Sequence, residues 1–359
     1  MKVAFICKNY KNIYSGGRIY ALTLAKAFSN FSEVDFFTNI KPIFFDEIIS
    51  KNDNERFNIK INKLFIFKIE KKYDLIVLAP HLNSLKSSFF DRLFFYRFAK
   101  HIKRVCKSRF WFIDFESPNW VNSVFPGLRS DFEYKNSNQI IKIADLVLSI
   151  SNTGMKFSKE YYSKINKKLN FKFLYPPINS FEAKKVKNKN KENKIVFFAR
   201  FNQIHKDPNN VIKIIKSMPC DFSLEVIYNK NRVDKNLLTK ILNQASINNV
   251  TINFHDRISD FEKYQLLANS KLLIFTSKFE GYGLPPVESQ FMNTPVICSD
   301  LQVLREINKF AVFDDFESVE RLRKKIKNII LDTDKLELRS KVSSFATFEN
   351  FVVNLKNTL

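Results

Sequence analysis

Phe279-Glu280-Gly281-Tyr282-Gly283-Leu284-Pro285-Pro286-Val287-Glu288-Ser289 sets two glycines and two prolines between carboxylates eight positions apart. An apolar run, Leu272–Phe275, precedes it. The prolines predict a helix opening near Pro285 or Pro286, because the first helical turn leaves its N–H groups unused. Strand, glycine loop and helix start, in that order, bring free N–H groups and a positive dipole end towards an anion with no Cβ in the way. Only 6 glycines occur in 359 residues, and Gly16, Gly17, Gly281 and Gly283 fall in two such loops. That concentration predicts close backbone approach to a ligand.

Outward from this loop the same alternation repeats. Ile195–Ala199, Leu224–Tyr228, Val250–Phe254, Leu272–Phe275 and Pro295–Cys298 read as short buried strands, with a helix at Val211–Ser217. An earlier series runs Val3–Cys7, Val34–Thr38, Tyr73–Leu78, Phe110–Ile113 and Ala144–Ser149, with Leu22, Leu24, Ala25 and Phe28 at near-helical spacing after Gly16-Gly17. Continuous apolar runs separated by helical stretches predict parallel strands buried on both faces. Between the series lies Ala183–Lys194, AKKVKNKNKENK, almost wholly charged or amide and expected to be the inter-domain linker. The fold class is α/β: two doubly wound, Rossmann-like domains, 1–182 and 195–342, facing across a cleft. Ligands of such sheets sit beyond the carboxyl ends of the strands.

Composition narrows the function. Apolar residues make up 45 % and aromatics 15 %, which excludes a disordered or collagen-like chain. The formal charge is +23; residues 1–180 carry 30 basic and 15 acidic side chains, the remainder 29 and 21. Such a balance points to nucleic acid, anionic lipid or a polyanionic small molecule. The joint abundance of Lys, Asn, Ile and Phe gives codon bias as a second source of the charge. Cys7, Cys106, Cys220 and Cys298 show no C-x-x-C spacing, so neither zinc nor a disulfide framework is expected, and a reducing cytoplasm fits. No apolar stretch reaches the roughly 18–20 residues of a spanning helix.

A second loop carries chemistry. Ala199-Arg200-Phe201 and His205-Lys206-Asp207 follow the first strand of the second series. Arg200 can fork onto phosphate oxygens and Lys206 can add a point charge; alone, both read equally as surface cations.

The run from Phe279 to Asp300, EGYGLPPVES through TPVICSD, is similar to the signature of family 4 glycosyltransferases with the GT-B fold, whose core is an E-x7-E pair, here Glu280 and Glu288. Gly16-Gly17, Arg200, Lys206, and Phe254–Asp256 leading to Phe261-Glu262-Lys263 fall in that family's order. The resemblance implies that a retaining glycosyltransferase moves a hexose from a nucleotide-diphosphate sugar, without a metal or other cofactor. It implies Arg200 and Lys206 on the diphosphate, Glu288 on the ribose, and Glu280 with the Gly281-Tyr282-Gly283-Leu284 backbone on the donor sugar. Gly16 and Gly17 would let the first domain approach the diphosphate. The segment 343–359 is expected to form a last helix crossing back to the first domain.

The sequence departs from the pattern in two places. Asn293 stands where the family has a glycine before Thr294-Pro295, which puts the shape of that turn in question. Many relatives place a histidine near the acceptor where this chain reads Phe112-Ile113-Asp114-Phe115-Glu116-Ser117-Pro118. Glu116, His81 and Asp114, in that order, are the candidates for its role. Asp332-Thr333-Asp334 spells D-x-D but falls in a helical, solvated stretch.

Residues 86–109 carry 8 basic side chains and one acid, with Phe90, Phe94, Phe98, Ile102 and Val105 along one helical stripe. Arg92, Arg97, Lys100, Lys103, Arg104 and Lys107 surround it. A stripe of this kind lies in an anionic membrane surface or packs on the first sheet, and the sequence leaves both open. Membrane contact would suit a glycolipid acceptor, such as a growing surface polysaccharide of the lipopolysaccharide or capsule kind, reached from the cytoplasmic face. Two other functions compete. A GT-B nucleotide-sugar epimerase would need acid–base groups at the sugar instead of an acceptor site. A nucleic-acid-binding protein would need a reader motif, and none occurs. Base and sugar are not legible; EGYGLPP leans towards GDP-mannose.

Overall fold

The computed structural model of the chain describes residues 1–11, 15–49, 55–69, 72–81, 89–187, 190–201, 203–332 and 337–359, without the side chains of 89–93, 204 and 332. These form two compact units, Met1–Tyr175 with Phe351–Leu359, and Pro176–Asn350.

The first unit is built on seven parallel strands: β1 (Lys2–Cys7), β2 (Glu33–Thr38), β3 (Phe57–Ile61), β4 (Leu75–Ala79), β5 (Arg109–Asp114), β6 (Leu146–Ser149) and β7 (Asn170–Phe173). Their order is β3-β2-β1-β4-β5-β6-β7. The order reverses between β1 and β4, paired from Val3↔Leu75 to Cys7↔Ala79. Val3–Cys7 and Leu75–Ala79 are buried throughout, as apolar runs covered on both faces must be. The helix Phe89–Cys106 turns Phe95, Phe98, Ala99 and Ile102 into the core against Ile6, Ile76 and Leu78. Its apolar stripe therefore packs on the sheet, with Arg97, Lys100 and Arg104 outward and Val105 half exposed. The side chains of Phe90 and Arg92 lie outside the described residues.

The second unit has six parallel strands: β8 (Glu192–Phe198), β9 (Ser223–Tyr228), β10 (Thr251–Asp256), β11 (Ser270–Phe275), β12 (Val296–Ser299) and β13 (Val312–Asp314). Their order, β10-β9-β8-β11-β12-β13, reverses between β8 and β11. Both sheets are thus doubly wound, each with a switch point between its first and fourth strands.

Three features differ from expectation. The stretch expected to link the domains is partly regular: the helix Ser180–Lys185 ends inside it, β8 starts at Glu192, and the units divide earlier, at Tyr175/Pro176. Asn179 caps that helix by accepting from the Glu182 N–H, which orders residues the charge pattern left unstructured. The C-terminal segment forms two helices, Leu338–Ala346 and Phe348–Thr358, because Thr347 is extended (φ −83°, ψ 156°) and breaks the run. Phe351 of the second meets Tyr20 edge-on at 6.0 Å, and Lys172 donates to Thr358 O at 2.6 Å. Asp332 closes the helix Val319–Asp332, and the rest of the D-x-D stretch lies outside the described residues. Among the described residues, no helix is long and apolar enough to cross a membrane.

Candidate active site

The switch point of the second sheet brings together the loops after β8 and β11. The 3-10 turn Ile204–Lys206 is tied to the loop after β11 by main chain: Lys278 and Phe279 donate to His205 O at 2.8 and 3.3 Å. The Thr276 hydroxyl lies 3.2 Å from Lys206 O and 3.3 Å from Asp207 O. Ser277 N–H is anchored in turn on Ser299 Oγ of β12 at 2.8 Å. This bracing fixes Lys206, whose Nζ donates to Glu280 Oε1 at 2.5 Å; Ser277 Oγ donates to the same oxygen at 2.6 Å. Glu280 is 7 % exposed, so the pair is well desolvated and strongly attractive. Arg200, exposed beyond the end of β8, interacts electrostatically with Glu280 and with Arg232.

The second carboxylate of the pair is held alike. Glu288 lies buried in the helix Leu284–Phe291, and its Oε1 accepts from Lys263 Nζ at 2.7 Å and Tyr264 OH at 3.1 Å. Lys263 also donates to Asp260 Oδ1 at 2.7 Å, and Asn179 Nδ2 donates to Asp260 Oδ2 at 2.9 Å. Burial works against the Lys263 charge, but Glu288 and Asp260 outweigh it and raise its pKa. Each carboxylate thus uses one oxygen to hold a lysine and a hydroxyl. Among the described residues, no hydrogen bond reaches Oε2 of either. Two buried carboxylates with one oxygen free are suited to accept from the hydroxyls of a sugar or ribose. Lys263 was named by sequence only as part of a motif. Its site role was not legible, because a lysine in a polar helix reads as solvated.

The glycine loop opens the helix as its sequence demands. Gly283 is its N-cap at φ +93° and ψ 67°, with Pro285 in the first turn, and the helix begins at Leu284, one residue before expectation. Gly281 is half-buried, while Tyr282 and Gly283 are buried. Asn293, in the glycine position, takes φ +57°, a left-handed conformation asparagine tolerates. Its Oδ1 accepts from Arg339 N–H at 2.8 Å, so the departure is absorbed locally.

In the first unit, Gly16 opens the helix Gly16–Ser29 after β1. A Cβ at Gly16 would meet nothing within 4 Å, whereas one at Gly17 would lie 3.1 Å from the Phe115 ring. Gly17 thus packs closely against the loop after β5, a contact the sequence did not disclose. His81, after β4, is 3 % exposed; its Nδ1 is bonded to Tyr10 OH at 2.8 Å, and its ring does not open to solvent as an acceptor-facing group would. Glu116 keeps a partly exposed carboxylate, 3.3 Å from Arg129 Nη2.

Asp114, at the end of β5, is buried, with Tyr162 OH donating to Oδ1 at 3.1 Å. Ser158 Oγ has one proton and two acceptors at bonding distance, Gly154 O at 2.8 Å and Asp114 Oδ2 at 2.5 Å, besides the Ser149 hydroxyl at 3.1 Å. One hydroxyl proton cannot serve both acceptors, and protonation of Asp114 relieves that conflict. Accordingly, burial raises its pKa to about 7 against the hydrogen bonds from Ser158 and Tyr162. From about pH 4 to pH 7 the native state therefore holds a proton that the unfolded chain has released, and stability falls as pH rises through that window. Asp114→Asn removes this loss. In urea titrations the stability of the variant relative to wild type should be lowest below about pH 4 and rise by a few kcal/mol by pH 8, at about 1.4 kcal/mol per unit of pKa. A constant offset between the two proteins would refute the protonated carboxyl.

Residues 179–347 match the family described as Glycosyl transferases group 1. The chain is similar to the O-antigen chain mannosyltransferase RfbU of Salmonella typhimurium, 25 % identical over 190 residues that cover 53 % of this chain and 52 % of RfbU. The match thus spans about half of that relative. Among solved structures, Anabaena HepE in complex with UDP-glucose aligns over 100 % of both chains with a TM-score of 0.67 at 14 % identity. Sucrose-phosphate synthase from Thermosynechococcus elongatus aligns over 99 % of this chain and 98 % of its own, with a TM-score of 0.69 at 14 % identity. At such identities the likeness is one of fold.

Proposed function

We propose that this chain, whose residues 179–347 match the family described as glycosyl transferases group 1 and which has the GT-B fold, transfers a sugar, with retention of anomeric configuration, from a nucleotide-diphosphate sugar to a glycan or glycolipid acceptor. The observation that carries this reading is the matched pair of buried carboxylates, each gripping a lysine and, among the described residues, keeping one oxygen free, with Arg200 at the sheet's switch point. Arg200 and Lys206 take the diphosphate and stabilise the charge that builds on it as the glycosidic bond breaks. Glu280, with the backbone from Gly281 to Leu284, holds the sugar hydroxyls, and Glu288 the ribose. No metal enters this scheme. In the first unit, Gly16 and Gly17 are assigned to the diphosphate, and Glu116, the most accessible of the three acidic or imidazole candidates there, to the acceptor. The acceptor is lipid-linked or a surface polysaccharide, in keeping with the O-antigen role in RfbU's name. The protein works in the cytoplasm, in keeping with four free cysteines, and at the membrane face.

The relatives named above point to two kinds of donor, one carrying mannose and the other UDP-glucose. A thermal-shift panel with UDP, GDP, ADP and CMP separates them. At 100-fold over Kd, a ligand that binds only the native state stabilises by about 2.7 kcal/mol. One nucleotide should shift wild type and Glu116→Gln alike and leave Arg200→Ala/Lys206→Ala unmoved. A shift that survives in the double variant would refute the assigned diphosphate site.

A further inference from the structure

The helix Phe89–Cys106 spends its apolar stripe on the sheet, yet an apolar surface does project beside it. After β3 the chain turns through Asn62, whose side chain clamps the turn: Oδ1 accepts from Leu64 N–H at 3.0 Å and Ile66 N–H at 3.4 Å, and Nδ2 donates to Ile66 O at 2.9 Å. Phe65, at the centre, is held in the left-handed region at φ +55°, unfavourable for a residue with a bulky side chain. The two faces of the segment separate as a result. Phe65 packs on Phe95, and Phe67 on Phe98 and Phe37, at ring separations of 5.0–5.1 Å. Leu64 and Ile66 point the other way and are 48 % and 58 % exposed.

The charges around the turn say what would cover them. Residues 56–69 contain Arg56, Lys60, Lys63 and Lys68 and no acid, and Lys63 and Lys68 are exposed on either side of the apolar pair. Phe65 and Phe67 rest on the helix Phe89–Cys106, which itself exposes Arg97, Lys100 and Arg104. Aliphatic tips flanked by cations match an anionic bilayer, whose acyl boundary takes the tips and whose head groups take the lysines. A nucleic acid would instead call for aromatic or hydrogen-bonding tips.

We infer that the Asn62–Lys68 turn docks this protein on an anionic lipid surface by inserting Leu64 and Ile66. This deepens the glycolipid-acceptor reading, since it would hold the enzyme where such an acceptor lies. The full chain is sedimented with vesicles of phosphatidylcholine alone and of phosphatidylcholine with equimolar phosphatidylglycerol. Wild type should partition onto the anionic vesicles only. Leu64→Ser/Ile66→Ser and Lys63→Glu/Lys68→Glu should each lose more than tenfold in partition coefficient at unchanged melting temperature, because all four side chains are exposed. Wild type that ignores anionic vesicles, or a serine variant that partitions as wild type does, overturns the inference. Sugar transfer to a water-soluble glycan, run alongside, is read separately: docking without transfer from any nucleotide sugar would sink the transferase reading and leave the docking turn standing.

Discussion

Lys206→Ala should lower kcat/KM for the nucleotide-sugar donor by about 10²–10³, the loss of roughly 3–4 kcal/mol seen when one preorganised donor is removed from a site of developing charge. Lys206 is placed for this role by bonds that involve no ligand: the turn carrying it is tied to Thr276, Lys278 and Phe279 of the neighbouring loop. Its ammonium has three N–H donors, and among the described residues Glu280 takes one at 2.5 Å, which leaves two for phosphate oxygens. The substitution also leaves Glu280, 7 % exposed, with Ser277 as its hydrogen-bond donor, which costs some stability as well. The two effects part in Lys206→Arg, which restores a cation beside Glu280: stability should return while catalysis recovers only in part, a planar fork replacing a point charge. The deciding measurement is the Kd for the nucleoside diphosphate beside the urea midpoint. Full activity in Lys206→Ala with a lowered midpoint would make the pair a purely structural ion pair.

How far the sequence reached depends on what each residue's neighbours are. The central strands were legible because burial on both faces writes a continuous apolar run, as in Val3–Cys7 and Leu272–Phe275. The strands it missed are β3, β7 and β13, all at sheet edges, where half the covering layer is absent. Asn170–Phe173 is mostly exposed, and its NFKF reads as loop. Glu280, Glu288 and Lys206 were legible because they sit in a spaced motif, but their partnerships were not. That Glu288 holds Lys263 and Tyr264 depends on a helix separated from it by 24 residues of chain, brought alongside only by the fold. The Phe115 ring against Gly17 is likewise a contact between segments about 100 residues apart, which no local pattern encodes. The helix stripe from Phe94 to Val105 shows the converse limit. An amphipathic pattern says that one face is covered and not by what; here the cover is the sheet.

Gly283→Ala should cost on the order of 3 kcal/mol of stability, more than an exposed glycine replacement could, because two independent penalties coincide. The first is conformational: Gly283 sits at φ +93°, where an L side chain is strained by about 1–2 kcal/mol. The second is steric: the new Cβ would lie 2.6 Å from Leu304 Cδ2, closer than carbon atoms approach. Leu304 is fully buried, so it can yield only by moving a packed core side chain, an overpacking of about 1–3 kcal/mol. Relief by backbone movement has a functional price, for Gly283 is the N-cap of the helix carrying Glu288, and rotating it would turn the first turn of Leu284–Phe291 and the carboxylate with it. Chemical denaturation and donor KM should therefore change together. Adding Leu304→Ala separates the two penalties. It opens space for the Cβ but leaves the positive φ, so Gly283→Ala should cost less in the Leu304→Ala background than in wild type, with about 1–2 kcal/mol of strain remaining. An undiminished cost in that background would show that φ alone sets the requirement for glycine, and a cost below 1 kcal/mol in wild type would refute both.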